Sequence, residues 1–531
     1  MIGSFAARWS RLAAFFFVVA SSLLPFGDDA RAASQPTADV VASWNLPQQT
    51  IDGFGAANVF LPNAMTSADA DRFFSASAGI GLTILRVGIS PTGGLFGGGW
   101  SDGALVAARG GRVIATPWSA PGAWKSNGST TNGGTLLTSR YSDWASLMAS
   151  FVGAFKANAG VSLYAVSLQN EPDLAESYES MLYSIDQLAA FAKVVSPTLA
   201  ASSPRPKLMM GEYSTWDSLN ALTNDLVGND KTALGLVDVF GTHQYGSGVP
   251  TPYTASYPQP LWETEASSFD AFDPSLANGL GTAKWIHDAL TTGGASAWLY
   301  WWLYGQNADN EGLVGSSDHP GQMTKRYYTL GNFSKFVRPG WVRLATTGNK
   351  TGIYGVSAFK NASTGGYAIV VVNASSAPVA LTLGLSDAGA SSSVVPYETY
   401  DDGSGDFTMS VHGNLAPQAA IAVASNGTFT ATVPVGVTTF VGTVATPVVP
   451  ATGGVGLLAA AGLLLVAGGF VVGRATRSAH PSVGSARTSS RQISSKPHFV
   501  RMGRDIAPAW IASPGLPIAT AANQREATSA R

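Results

Sequence analysis

The stretch Tyr164-Ala-Val-Ser-Leu-Gln-Asn-Glu-Pro172 joins a short apolar run of strand type to a polar turn. Short apolar runs bounded by turn residues are typical of buried strands. Helical stretches, such as Tyr141 to Asn158 and Ile185 to Val195, separate several runs of this kind. The other seven runs begin at Thr50, Thr83, Arg112, Lys207, Val237, Gln259 and Ala297. Eight strands alternating with helices predict a (β/α)₈ TIM barrel, with a doubly wound parallel sheet as the alternative.

The pattern of apolar runs and turn residues changes from about Gly352. Strand-like runs, such as Tyr367 to Asn373, are separated by Ser, Gly, Asn and Pro turns without a helical period. This pattern predicts an antiparallel β-sandwich attached to the barrel. We therefore assign 49–335 to the barrel and 336–446 to the sandwich, and we expect 33–48 to add an N-terminal strand to the sandwich.

The first 32 residues have the pattern of a signal peptide. Arg8 and Arg11 precede the mostly apolar run from Leu12 to Leu24, and Ala30-Arg-Ala32 has the small residues of a cleavage site. These features predict export of the chain and cleavage after Ala32. The alternative is an uncleaved membrane anchor, for which the apolar run is short.

A second apolar segment, 453–473, follows a short linker at 447–452. It has 21 residues and no charge, which is enough for a helix to cross a hydrocarbon core of roughly 30 Å. The tail 474–531 carries 9 Lys or Arg and 2 Asp or Glu. The positive-inside tendency therefore predicts a single transmembrane helix, a catalytic domain outside the cytoplasm and a disordered basic tail inside. A buried core helix is the alternative.

Composition restricts the possible partners and cofactors. The formal net charge is −2, so no strong field favours nucleic acid as a partner. The absence of cysteine excludes disulfides and thiolate ligands, and the six histidines are scattered along the chain. We expect neither a metal nor a cofactor, and the sequence leaves the oligomeric state open.

Two carboxylates lie where predicted barrel strands end. Glu171 follows the fourth run, and Glu265 ends the seventh. In a barrel the carboxyl ends of the strands form the active site. Two carboxylates facing each other across a sugar are what glycoside cleavage requires. The alternative is that each caps a helix or pairs with an arginine, but Pro172 stops the strand and leaves Glu171 at the rim.

The sequence resembles glycoside hydrolase family 30 over about residues 48–445. The resemblance rests on the order and spacing of motifs across this region: Gln49-Thr-Ile-Asp-Gly-Phe-Gly-Ala, Ile84-Leu-Arg-Val, Pro117-Trp-Ser-Ala-Pro-Gly-Ala-Trp-Lys-Ser-Asn-Gly, Ser167-Leu-Gln-Asn-Glu-Pro, His243-Gln-Tyr, Trp262-Glu-Thr-Glu-Ala, and the run from Arg326 to Gly340. The family implies a (β/α)₈ barrel fused to a β-sandwich and hydrolysis with retention at the anomeric carbon.

By this resemblance Glu171 is the general acid/base and Glu265 is the nucleophile. Glu263, two residues earlier on the same strand, is the rival nucleophile, but the family motif places the nucleophile before a small residue such as Ala266. The resemblance also implies the roles of six neighbours: Asn170 binds the sugar 2-hydroxyl, Tyr245 holds the nucleophile, Arg86 keeps Glu265 ionised, Trp118 and Trp301 stack on the sugar, and His243 supports the site.

The resemblance says less about the substrate. Tyr178-Glu-Ser-Met and Ala297-Trp-Leu-Tyr-Trp-Trp look most like the xylan-cleaving branch, which implies an endo-β-1,4-xylanase-like activity. Bacterial glucuronoxylanases place an Arg-rich segment after the eighth strand, whereas this chain has no arginine between Leu303 and Arg326. This departure speaks against dependence on glucuronate, which the sequence alone leaves open. A β-1,6-glucanase or galactanase, a glucosylceramidase-like enzyme, a surface carbohydrate-binding protein and an adhesin are the alternatives.

Overall fold

The computed structural model describes residues 37–246 and 256–445. The predicted signal peptide, linker, membrane span and basic tail lie outside these residues and stay predictions. Among the described residues, no helix combines the length and the apolar character needed to cross a membrane.

Eight parallel strands close into a barrel. The first described strand, β1 (Val40–Thr50), belongs to a second sheet. The next seven strands belong to the barrel: β2 (Gly53–Ala57), β3 (Ile84–Ile89), β4 (Arg112–Pro117), β5 (Ala165–Ser167), β6 (Lys207–Tyr213), β7 (Val239–His243) and β8 (Leu261–Ala266). After β9 (Ser268–Ala271), the eighth barrel strand is β10 (Ala297–Tyr304), followed by β11 (Asp309–Asn310) and β12 (Gly312–Val314). Since β10 pairs in parallel with both β8 and β2, the ring closes and the predicted barrel is confirmed.

Helices connect most of the barrel strands. They are α1 (Ser67–Phe74), α2 (Ser101–Ala107), α3 (Tyr141–Ala159), α4 (Ile185–Ala200), α5 (Trp216–Asn229), α6 (Lys231–Leu234), α7 (Leu276–Thr291) and α8 (Lys325–Ser334). Local sequence sets several of the helix starts. Ser184 and Gln187 form a capping box that satisfies free amides at the start of α4.

Apolar side chains fill the barrel interior near the amino ends of its strands. This cluster consists of Ile84, Ile114, Ala165, Met209, Val239, Trp262, Ala297 and Leu299. Strand side chains alternate, so Arg86 faces the same way as Ile84, one layer nearer the carboxyl ends. The packed lower layer leaves the carboxyl-terminal end of the barrel for polar groups.

The second sheet contains β1 and all strands after the barrel. These are β13 (Val342–Gly348), β14 (Ile353–Lys360), β15 (Gly366–Asn373), β16 (Val379–Ser386), β17 (Ser391–Tyr400), β18 (Asn414–Pro417), β19 (Ile421–Ala422), β20 (Thr428–Val433) and β21 (Gly436–Val444). One apolar core draws on strands from both ends of the strand order, including Leu383 of β16 and Val394 of β17. The sheet therefore encloses its own core.

One strand pair departs from the antiparallel prediction. β1 pairs antiparallel with β13 on one side but parallel with β16 on the other. A hairpin fixes antiparallel pairing, whereas distant segments of the chain can pair in either direction. Because β1 precedes the barrel, no hairpin joins it to β16.

Candidate active site

All eight residues predicted for the site come together at the carboxyl ends of the barrel strands. Six of them line a cavity of about 500 Å³: Trp118, Asn170, Glu171, Tyr245, Glu265 and Trp301. Arg86 and His243 have no exposed surface and lie in contact with the two carboxylates. Strands β3, β7, β8 and β10 each contain one of these residues. Trp118 directly follows β4, and Asn170 and Glu171 follow β5.

Glu265 is held by donors on both carboxylate oxygens. Arg86 Nη1 donates to Oε2 at 2.5 Å, and the Tyr245 hydroxyl donates to Oε1 at 2.9 Å. Burial raises the pKa of Glu265, while the positive charge of Arg86 acts in the opposite direction. These contacts stabilise the ionised form that a nucleophile needs.

Glu171 has a different environment. Its Oε1 lies 3.0 Å from Nδ1 of His243. Burial, followed by the negative charge of Asp173, raises the pKa of Glu171 to about 8. Glu171 is therefore protonated at neutral pH, as a general acid must be.

His243 lies between the two carboxylates. Its Nδ1 is 3.0 Å from an oxygen of Glu171 and 3.8 Å from an oxygen of Glu265. Burial lowers the pKa of His243, so the ring is neutral at neutral pH. A neutral Nδ1 can accept a hydrogen bond from protonated Glu171, and its other tautomer can donate to the ionised form.

The spacing of the carboxylates matches one stereochemical outcome. One oxygen each of Glu171 and Glu265 and one nitrogen of His243 all lie within 4.8 Å of one another. Retaining glycosidases hold their carboxyl groups about 5–5.5 Å apart, whereas inverting enzymes leave roughly 6.5–9.5 Å for a water. The arrangement therefore suits direct attack by one carboxylate.

Within the described residues, these same three side chains are the one group close enough to share a cation. The Arg86 guanidinium already supplies a positive charge to Glu265, and Glu171 is already bonded to His243. The groups that could bind a cation are therefore already bonded to one another or to Arg86, which disfavours the binding of a divalent ion.

Glu263, the rival nucleophile, does not line the cavity. Its Oε1 accepts a hydrogen bond from the backbone N–H of Glu265 at 2.9 Å, and its Oε2 accepts one from Leu299 N–H at 3.2 Å. It has no exposed surface, and burial raises its pKa strongly. Glu263 thus supports the strand that carries Glu265.

Aromatic rings form one side of the cavity. The ring centroids of Trp118 and Trp301 are 5.9 Å apart, and Phe60 contacts both rings edge-on. The Arg86 guanidinium carbon lies 4.7 Å from the Trp118 ring centroid. Flat rings beside a pair of carboxylates suit the C–H faces of a sugar.

Sequence reasoning assigned no site role to several residues of this region, including the following four. Phe269 lines the cavity with 67% of its surface exposed, and Tyr178 lines it with 43% exposed. Glu311 also lines it, and burial raises its pKa to about 7. Glu212 ends β6 and contacts Arg86. The signal for Glu212 was present, since Lys207-Leu-Met-Met-Gly-Glu places a carboxylate at a strand end, as for Glu171.

Comparison with known proteins agrees with the barrel fold. A family model described as the glycosyl hydrolase family 30 TIM-barrel domain matches residues 103–255. Glucuronoxylanase XynC of Bacillus subtilis (strain 168) is 28% identical over 364 residues, covering 65% of this chain and 80% of its own. Endo-1,6-beta-D-glucanase neg1 of Aspergillus fumigatus is 24% identical over 278 residues, covering 45% of this chain and 53% of its own.

Among solved structures, the family 30 subfamily 8 xylanase Xyn30A of Clostridium acetobutylicum is 30% identical. The match has a TM-score of 0.62 and covers 76% of this chain and 99% of that one. The barrel and its carboxylate pair define a retaining glycoside hydrolase. The chain belongs to glycoside hydrolase family 30.

Proposed function

We propose that this enzyme hydrolyses the backbone of β-1,4-xylan internally, by double displacement, without needing glucuronate side groups. Glu171 serves as acid/base and Glu265 as nucleophile. The observation that carries the proposal is the pair of carboxylates within 4.8 Å in a cavity walled by tryptophans.

In the first step Glu265 attacks the anomeric carbon, and the glycosidic C–O bond breaks. Glu171 gives its proton to the departing oxygen, which leaves as a hydroxyl group. In the second step Glu171 takes a proton from a water, whose oxygen attacks the anomeric carbon and releases Glu265. Two inversions give net retention.

The neighbouring residues prepare these steps. Arg86 and Tyr245 hold Glu265 through both carboxylate oxygens. Asn170 Oδ1 accepts a hydrogen bond from Arg86 Nη2 at 2.6 Å, so its amide N–H₂ is free to meet the sugar 2-hydroxyl. Trp118 and Trp301 stack on the sugar, and His243 maintains contact with Glu171 in both protonation states.

The charge of the cavity favours a neutral glycan. Its lining, as far as the structure describes it, contains five glutamates and neither lysine nor arginine; these are Glu171, Glu176, Glu179, Glu265 and Glu311. In glucuronoxylanases an Arg-rich segment follows the eighth strand, whereas the loop after β10 in this chain contributes Glu311 and no arginine, so an anionic side group would meet no cation there. Unsubstituted xylan fits this lining better than glucuronoxylan.

A β-1,6-glucanase activity is the second candidate, because endo-1,6-beta-D-glucanase neg1 is 24% identical to this chain over 278 residues. Galactanase and glucosylceramidase-like activities belong to the same alternative. A binding protein without activity is disfavoured, since it would not need two carboxylates with opposed environments.

The test is incubation of the full chain, solubilised in detergent, with xylan, glucuronoxylan, β-1,6-glucan, β-1,6-galactan and a glucosylceramide. We expect xylan to give oligosaccharides of mixed length, with Glu265→Gln inactive. Glu398→Gln, in the second sheet, is the matched control and should cleave normally. Release from β-1,6-glucan alone would replace the xylanase assignment, and tight binding without any release would replace the enzyme by a lectin.

We also propose that the enzyme is exported and tethered to the cell membrane by 453–473. The support is the uncharged run followed by a basic tail. Membrane fractionation of the full chain and of a chain ending at residue 446 tests this. The full chain should sediment with membranes and the shorter one should not; equal partition of the two would exclude the tether.

A further inference from the structure

The Arg86 guanidinium has a second carboxylate partner besides Glu265. Glu212, at the end of β6, has no exposed surface, and its Oε1 lies 3.1 Å from Arg86 Nε. The Thr116 hydroxyl donates a hydrogen bond to the other oxygen of Glu212 at 2.9 Å. Glu212 is thus fixed on the side of the guanidinium that faces away from the nucleophile.

Four side chains share the donors of Arg86. Nε faces Glu212 and Thr116, Nη1 donates to Glu265, and Nη2 donates to Asn170. A guanidinium is planar and its donors point in fixed directions. An anion held at the Nε edge therefore determines where the other two donors point.

The backbone links Glu212 to the second catalytic carboxylate as well. The N–H of Glu171 donates to the carbonyl oxygen of Glu212 at 2.9 Å. Both residues have left-handed backbones, with φ of 41° at Glu171 and 49° at Glu212. Non-glycine residues adopt this region rarely, and such strain gathers at functional sites.

We infer that Glu212 is a positioning residue: its carboxylate turns Arg86 toward Glu265 and Asn170, and its carbonyl holds Glu171 in place. This inference rests on the roles proposed for Glu171 and Glu265. Glu212 does not line the cavity, so it acts through Arg86 and through the backbone rather than on the sugar.

The charge of Glu212 has a predictable effect on both catalytic groups. Its negative charge contributes to raising the pKa of Glu171, after burial, Asp173 and Glu176. Glu212 also offsets part of the positive charge of Arg86, and that positive charge lowers the pKa of Glu265. A neutral residue at this position would lower both pKa values. The other titratable groups that face the two carboxylates are Asp173, Glu176, Tyr178, His243, Tyr245, Glu263 and Glu311.

The experiment is the pH dependence of kcat/KM for xylan hydrolysis by the full chain. Glu212→Gln should move both limbs of the profile to lower pH by about one unit and reduce kcat about tenfold, with KM nearly unchanged. Glu212→Asp keeps the charge but shortens the side chain, so kcat should fall while the limbs stay in place. Glu398→Gln is the control and should match the wild type.

A Glu212→Gln profile with unmoved limbs and a lower Tm would show that Glu212 is merely structural and would overturn the inference. If the wild type cleaves no glycan, the proposed function fails separately. In that case NMR titration of the carboxyl carbons of Glu171 and Glu265 still tests the role of Glu212. The inference requires both pKa values to be lower in Glu212→Gln than in the wild type. If Glu212→Gln does not fold, Thr116→Val is the substitute, because it removes the hydrogen bond that holds Glu212. The inference then requires a lower kcat in Thr116→Val, and a kcat equal to that of the wild type would contradict it.

Discussion

At the scale of single residues, the two carboxylates for which we propose opposite tasks lie in opposite environments. Glu171 is buried beside a neutral histidine and Asp173, which favours its protonated form. Glu265 receives hydrogen bonds from Arg86 and Tyr245, which favour its ionised form. The proposed division between acid and nucleophile therefore rests on the neighbours of the two carboxylates rather than on the carboxylates themselves.

Substitution of each carboxylate should have a different result. Glu265→Gln removes the attacking oxygen, so turnover of every substrate should fall by more than about 10⁴-fold. Glu171→Gln removes proton donation, so turnover of xylan should fall by roughly 10²–10⁴-fold. Turnover of an aryl glycoside whose leaving group needs no proton should be much less affected. Steady-state kinetics on xylan and on an aryl xylobioside measures both effects. Equal losses of the two variants on the aryl substrate would contradict the assignment.

The pH profile should report the acid. Because burial raises the pKa of Glu171 to about 8, its proton is present below that pH and is lost as pH rises through it. The alkaline limb of kcat/KM should therefore lie near pH 8. In Glu171→Gln, assayed on the aryl substrate, this limb should disappear. An unchanged alkaline limb in the variant would assign it to another group.

At the scale of elements, short strands outside the barrel shape the cavity. β9 follows the nucleophile strand and pairs antiparallel with β11 in the loop after β10. This pairing joins two loops that are about 40 residues apart in sequence. It places exposed Phe269 at the cavity, stacked on Tyr245 at a centroid distance of 5.6 Å.

Phe269 offers an open ring to a longer glycan. Phe269→Ala should lower kcat/KM on xylan about fivefold, as expected for loss of roughly 1 kcal/mol of ring contact. Hydrolysis of a small aryl glycoside and the Tm should stay close to the wild type, because the ring is exposed. Leu46→Ala, at a position 56% exposed on β1, is the control. A Tm loss equal to that of a core variant would show that Phe269 only packs.

Helix α8 gives a structural reason for the motif that begins at Arg326, which the sequence analysis could only compare with the family. All ten of its residues are buried. Asn332 donates to Tyr397 O and Thr439 Oγ1, and Lys325 donates to carbonyls that include Tyr400 and Gly413. The polar residues of α8 thus bind the barrel to the second sheet.

Lys325→Met should therefore destabilise the protein by about 2–3 kcal/mol, because several buried carbonyl oxygens lose their donor. Lys156→Met, at an exposed lysine bonded to Ser203 O, should change stability by less than about 0.5 kcal/mol. Chemical denaturation measures both variants. A Lys325→Met protein as stable as the control would contradict this role for α8.

At the scale of the whole molecule, periodicity favoured the barrel over a doubly wound sheet, because the eight strands read as separate apolar runs. The strand-end rule also identified Glu171 and Glu265. Glu212 satisfied the same rule but was missed, since its meaning depends on Arg86 from another strand. The parallel pairing of β1 with β16 and the meeting of Phe269 with the cavity depend on long-range contacts, which local patterns do not encode.

The central claim is that Glu265 forms a covalent bond with the sugar. Incubation of the wild-type chain with a 2-deoxy-2-fluoro xylobioside bearing an activated leaving group should slow release of the intermediate and trap it. Peptide mass spectrometry should then find one added glycosyl group on Glu265, and NMR of normal turnover should show a first product with the β configuration. A label on Glu263 or Glu171, or an α-configured first product, would contradict the account.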